Sequence, residues 1–202
     1  MKLAFDLETD GLLDDLSLIH CMAAIDMETG KEYRFEPHQI KEGLALLQSA
    51  DELWGHNIIS YDFQAIRKLY PRWTYKGTAY DTLILSRLLF TDILDRDFRS
   101  RPANMPAQLF GRHSLESWGH RLGCHKSEFG KSLDGDWSQY TPEMLDYCVQ
   151  DVVVSVELAN MFLPKLEQYK SSINTEHKIA ELMSWQEREG FPFNERAAQE
   201  LE

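Results

Sequence analysis

The chain has 202 residues, 43% of them hydrophobic, which suits one compact domain with a sizeable core and excludes a disordered or fibrous protein. A formal net charge of −12 disfavours the broad basic face by which many proteins hold nucleic acid, but it leaves room for an acidic site neutralised by bound cations. The longest apolar runs fall far short of the roughly 18 to 20 residues of a membrane span, and the N-terminus lacks a signal peptide's layout, so a soluble, cytoplasmic protein is expected.

Residues 2–7 and 18–26 predict strands, and "MET" with Gly30 predicts a turn into a third strand within "KEYRFEP", which makes an antiparallel meander. Ile40, Leu44 and Leu47 recur at helical spacing, "DELWGHN" reads as a short strand, and "SYDFQAIRKLY" begins a helix with Ser60 as N-cap and Pro71 as stop. "AYDTLILSRLLF" reads as a strand that ends near Asp81 and runs into a helix. Residues 91–112, with Pro102, Pro106 and four arginines, read as a polar loop, and "HSLESWGHRLG" reads as a short helix between Ser114 and Gly123.

"TPEMLDYCVQDVVVSVELANMFLP" offers Thr141 at N-cap, Pro142 at N1 and apolar residues at Leu145, Cys148, Val149, Val152, Val156, Ala159 and Leu163. Its valine run suits a strand, but the caps and the long helical period favour a helix. "TEHKIAELMSWQEREGFPFN" predicts another amphipathic helix, closed by Gly190, and "ERAAQELE" begins one more. Strands first, then helix and strand in alternation, predict an α/β domain with a mixed sheet.

Cys21, Cys124 and Cys148 lack CxxC spacing, which argues against a disulfide framework and suits a reducing compartment. His113, His120 and His125 beside Cys124 match no common zinc spacing.

Asp6 and Glu8 are two apart at the end of the first strand, so they point to one face. An isolated pair of that kind is usually a solvated strand end. Two divalent cations need several hard oxygen ligands from different elements, and Asp62 and Asp151 sit where they can converge on the same point. Tyr147 precedes Asp151 by four residues, on one stripe of the helix, where a phenol can hold a water.

This constellation resembles the three exonuclease motifs of the DEDD superfamily: "FDLET", "HNIISYD" with Asn57, Tyr61 and Asp62, and "YCVQD". The His type of that superfamily carries its histidine five residues before the last Asp; here Asp146 stands there and Tyr147 is present, so the sequence is similar to the tyrosine type. "YDTLILSRLL", "GRHSLESWGHRLG" and "EREGFPFN" further resemble the proofreading domain of family A DNA polymerases, particularly those of short-tailed phages.

The resemblance implies a ribonuclease H-like (DnaQ-like) fold, with a mixed sheet of about five strands flanked by helices. It implies a 3′–5′ exonuclease over residues 1–170, and a helical segment over 171–202 leading toward a polymerase domain absent from this chain. It also implies two divalent ions, Mg²⁺ or Mn²⁺. Carried over by position, Asp6 would bridge the ions, Glu8 and Asp151 would hold one, Asp62 would support the other, and Tyr147 with Glu8 would orient the attacking water.

Thr9, Leu12, Asn57 and Tyr61 match positions that handle the substrate's end, with Leu12 as a wedge or, equally, a core residue. The implied partners are a single-stranded DNA 3′ end and a polymerase domain or subunit, with no membrane and, for a phage protein, the host cytoplasm. Arg96, Arg99, Arg101 and Arg112 could contact phosphates or be a solvated loop. Two other readings keep the residues: an RNA-trimming relative, and a non-catalytic partner of a polymerase.

Overall fold

In the computed structural model, which describes residues 1–124 and 138–200, the centre is a five-stranded sheet in the order β3-β2-β1-β4-β5. β1 (Lys2–Thr9), β2 (Ile19–Asp26) and β3 (Glu32–Phe35) form the antiparallel meander, joined by the turn at Gly30. β4 (Glu52–Gly55) and β5 (Thr78–Asp81) then add parallel to β1, reached through α1 (Ile40–Ser49) and α2 (Asp62–Leu69). The sheet is mixed because connections without a helix, residues 10–18 and 27–31, reverse the chain between the first three strands, whereas parallel neighbours need helical crossovers.

Strand alternation sorts β1 onto two faces. Leu3, Phe5 and Leu7 pack in the core that holds Leu44, Leu47 and Ile66 of α1 and α2. Ala4 lies in the other core, beneath the 21-residue helix we number α6 (Pro142–Phe162), and Asp6 and Glu8 share its side. Small residues at Ala4, Cys21 and Ala23 let this helix lie close to the sheet.

Thr141 caps α6 by accepting from the Met144 amide at 3.2 Å, and Pro142 fills the first turn, so the valine run is helical as its caps predict. α3 (Thr82–Leu89) and α5 (Leu115–Leu122) flank it, with Trp118 edge-on to both Phe90 and Phe162.

Two local expectations are corrected. Ser60 does not cap α2: Tyr61 holds the cap position without a side-chain cap bond, because the preceding loop is organised instead by Asp81 reaching in from β5. Residues 91–112 are not one loop, since they contain helix α4 (Ile93–Ser100) and a single 3₁₀ turn at Ala107–Leu109. α4 is anchored by Asp97, only 1% exposed, whose carboxylate takes a two-pronged contact from Arg121 of α5 at 2.9 and 2.8 Å.

α7 (Lys170–Glu189) closes the domain, burying Ile173, His177 and Ser184, and the short α8 (Glu195–Gln199) follows. Among the described residues no helix is long and apolar enough to cross a membrane.

Candidate active site

Asp6 stands opposite Ala23, and Glu8 opposite Cys21, in the β1–β2 register. Beyond them the register shifts, so that Thr9 faces Ile19 and His20 becomes an extra residue. This bulge bends the strand end where the carboxylates converge. α6 meets them through Cys148, whose thiol lies 3.4 Å from the Asp6 carbonyl and 3.7 Å from its Oδ2. Ligand atoms of Asp6, Glu8 and Cys148 all lie within 4.8 Å of one another. Tyr147 and Asp151 occupy the same two turns of α6, one before Cys148 and three after it, and Asp151 is buried.

Asp62 enters from the first turn of α2. It is 3% exposed, and its Oδ1 has no hydrogen-bond partner. Burial pushes its pKa up to about 8, and the nearby Asp81 charge adds to the rise. A buried acid with an unsatisfied oxygen is costly unless a cation completes it. The carboxylates of Asp6 and Glu8, with the buried Asp62 whose Oδ1 is unsatisfied, offer hard oxygen donors of the kind a divalent ion such as Mg²⁺ takes, so the residues fit the metal expected there.

The substrate-side residues divide. Leu12 is 76% exposed, which removes core packing as its role and leaves an uncovered apolar side chain in the loop after β1. Thr9 and Tyr61 are engaged with each other and with the Gly11 carbonyl, at 2.9 Å from the Thr9 hydroxyl and 2.8 Å from the phenol. They therefore fix the loop that carries Leu12. Asn57 sits in the left-handed region at φ 67°, in a loop that enters from Gly55. Gly55 is required there, because a Cβ would come within 2.8 Å of the Phe5 carbonyl oxygen of β1.

Asp146 pairs with Arg34 of the edge strand at 2.5 Å. Arg96 and Arg99 both pair with Asp92, at 2.7 and 3.7 Å, and Arg112 donates to the Gln108 carbonyl. His125 lies outside the described residues. Sequence reasoning missed that Cys148 lies against Asp6, although its place inside "YCVQD" marked it, and it read Asp81 only as a strand end.

The fold is shared with solved nucleases. Brucella melitensis NrnC bound to pGG superposes with a TM-score of 0.62 at 16% identity over 94% of this chain and 85% of that one. The same protein with bound Mg²⁺ gives 0.61 at 17%, covering 96% and 90%. The Aedes aegypti Nibbler EXO domain gives 0.55 at 13%, covering 87% and 85%. The chain thus shares the mixed-sheet, ribonuclease H-like fold of these nucleases, and it carries Asp6, Glu8 and Cys148 together at the end of β1.

No protein-family model matches the sequence. At the sequence level the chain is similar to the DNA-directed DNA polymerase of Enterobacteria phage T3, 31% identical over 245 residues, covering 98% of this chain and 34% of that one. It is equally similar to the polymerase of Escherichia phage T7, 31% over 242 residues, covering 97% and 34%. The chain thus spans about a third of the length of the curated relatives it matches.

Proposed function

We propose that the chain removes nucleotides from the 3′ end of single-stranded or frayed DNA and serves as the proofreading portion of a DNA polymerase. The observation that carries this reading is the meeting of Asp6 and Glu8 with Cys148 of the third motif; a buried Asp62 whose Oδ1 lacks a partner supports it. Asp6, Glu8, Asp62 and Asp151 would hold two divalent ions, Mg²⁺ or Mn²⁺, whose Lewis acidity stabilises charge on the attacking and leaving oxygens.

The chain's own residues supply the rest. Glu8 accepts a hydrogen bond from the nucleophilic water while the Tyr147 hydroxyl orients it, so the water meets the terminal phosphorus in line and the 3′ oxygen of the preceding nucleotide leaves. Leu12 wedges against the terminal base, with Thr9, Tyr61 and Asn57 lining the strand's end. An unstacked end suits such a site, because apolar contact with bases repays the unstacking without reading sequence.

The polymerase context draws on a second feature. Ile179, Leu182, Met183 and Trp185 of α7, with Phe191 and Phe193 beyond it, are exposed large hydrophobics, an apolar tract of the kind that marks an interaction surface. It fits the remaining two thirds of a polymerase, in the same polypeptide or a separate one. Three free cysteines fit action in a reducing cytoplasm.

The test is a 5′-labelled single-stranded DNA and an RNA of the same sequence, each incubated with Mg²⁺ or Mn²⁺ and with the wild type or an Asp6→Ala, Glu8→Ala double variant. A ladder of shortening DNA, lost in the variant, is the expected result. Faster shortening of the RNA would favour the RNA-trimming reading, and no shortening of either would favour a non-catalytic partner.

A further inference from the structure

Asp81 ends β5 and caps α3, accepting from the Leu83 and Ile84 amides at 2.9 and 3.5 Å. Capping alone needs no more than a serine, asparagine or aspartate with one free oxygen. Asp81 does more: its Oδ1 also accepts the Asn57 amide at 2.9 Å, and its Oδ2 the Ile59 amide at 3.1 Å, across 24 and 22 residues of sequence. The side chain is 1% exposed, so these bonds face no competition from water.

The same junction is braced from both sides. Thr82 donates to the Gly55 carbonyl at 3.0 Å, and its hydroxyl lies 2.9 Å from His56 Nδ1. On the other side the Asp81 amide donates to His177 Nε2 of α7 at 2.9 Å. His177 Nδ1 lies 2.8 Å from the Ile173 carbonyl, which places the ring proton on Nδ1 and leaves Nε2 as the acceptor. The 55–59 loop is therefore held from the β5–α3 junction, and that junction is held by α7.

Asn57 is the residue that most needs such a hold. A non-glycine in the left-handed region returns readily to extended or helical backbone unless its neighbours prevent it. If the amides on either side of Ile58 were released, the Asn57 side chain would swing away from the strand's path. The loop's other end, Asp62, is separately buried in the first turn of α2 and would stay in place.

We propose that Asp81 is a positioning residue for the substrate strand: through Asn57 it sets the geometry of the strand-holding loop without touching substrate, and His177 is its buttress on α7. This inference rests on the exonuclease reading above. It assigns strand binding, rather than hydrolysis, to the junction.

The experiment compares an oligonucleotide with bis(p-nitrophenyl) phosphate, a small diester that needs the carboxylates and not the loop. In Asp81→Asn one oxygen becomes an amide nitrogen and opposes a loop N–H. The expected outcome is a KM for the oligonucleotide raised about tenfold, the effect of losing one charge-assisted bond, with the small diester within about twofold of wild type. Asn57→Gly should raise KM similarly. The double variant should be no worse than Asn57→Gly alone, because the two act in series.

Equal loss on both substrates, or losses that multiply in the double variant, would make Asp81 a purely structural cap and overturn the proposal. Wild-type amide exchange decides the matter should Asp81→Asn fail to fold: Asn57 and Ile59 amides must be protected, and open-loop rates overturn it. A wild type inactive on both substrates overturns the exonuclease reading and this inference with it. An active wild type with an unaffected Asp81→Asn overturns this inference alone.

Discussion

Replacing Asp62 by asparagine should stabilise the ion-free protein at alkaline pH while abolishing nuclease activity. Asp62 is 3% exposed, its Oδ1 is unsatisfied, and burial, with help from the Asp81 charge, raises its pKa from 3.8 to about 8. The native state therefore holds a proton that the unfolded state has released once pH passes the ordinary carboxylate value. Stability contributed by this group is present below about pH 4 and is lost as pH rises toward the raised pKa, at up to about 1.4 kcal/mol per pH unit.

Asparagine carries no such proton, so the pH dependence due to this site should vanish in the variant. Relaxation and water entry will reduce the slope below that limit. Urea unfolding followed by circular dichroism in chelator, from about pH 5 to 8, measures it. Wild type should lose stability relative to Asp62→Asn across that range, by on the order of a few kcal/mol at the alkaline end. Mg²⁺ at millimolar concentration should restore wild type by mass action and leave the variant little changed. Parallel pH profiles for the two proteins, or an Mg²⁺ response as large in the variant, would refute the placement of Asp62 as a buried ligand.

Tyr147→Phe should lower the hydrolytic rate by about tenfold or more while titration calorimetry shows metal affinity largely intact, since it removes a water-orienting hydroxyl and no ligand. Loss of metal affinity would contradict that role. Leu12→Ala should leave the melting temperature unchanged, because the side chain is already exposed, and should raise KM for frayed ends several-fold. A clear drop in melting temperature would show that it is a packing residue.

Arg121→Met should destabilise the fold by about 3 kcal/mol or more, by leaving Asp97 buried and uncompensated. In wild type, burial tends to raise the Asp97 pKa, but Arg121 and the Gly111 amide outweigh it and hold the carboxyl below 3.8. Its stabilisation is therefore present above that pH and lost as pH falls through the lowered value, which acid unfolding of wild type and variant would measure.

Much of this architecture could be read without coordinates. The alternation of β1 placed Asp6 and Glu8 on one face, the Thr141–Pro142 start overrode the strand propensity of the valine run, and Gly30, Ser114 and Gly123 marked real turns and caps. These signals act within one element or between near neighbours, where periodicity and capping chemistry leave few alternatives.

Other features depended on partners far along the chain. The Cys148 thiol lies 3.7 Å from Asp6 Oδ2 across 142 residues. Asp81 read only as the end of a strand, and the Asn57 and Ile59 amides it accepts lie more than twenty residues away in sequence. α4 read as loop because only Ile93 and Asp97 are buried in it, too few to reveal a period, and its anchor is an arginine on another helix. Leu12 carried two readings that differ only in whether anything covers it.

Spacing along a strand or helix dictates direction, so the local elements and the shared face of Asp6 and Glu8 followed from the order of residues alone. That Asp62 is dry, that Leu12 is bare and that Asp81 holds the 55–59 loop came from the packed fold, because burial and long-range hydrogen bonds are properties of what packs against a residue.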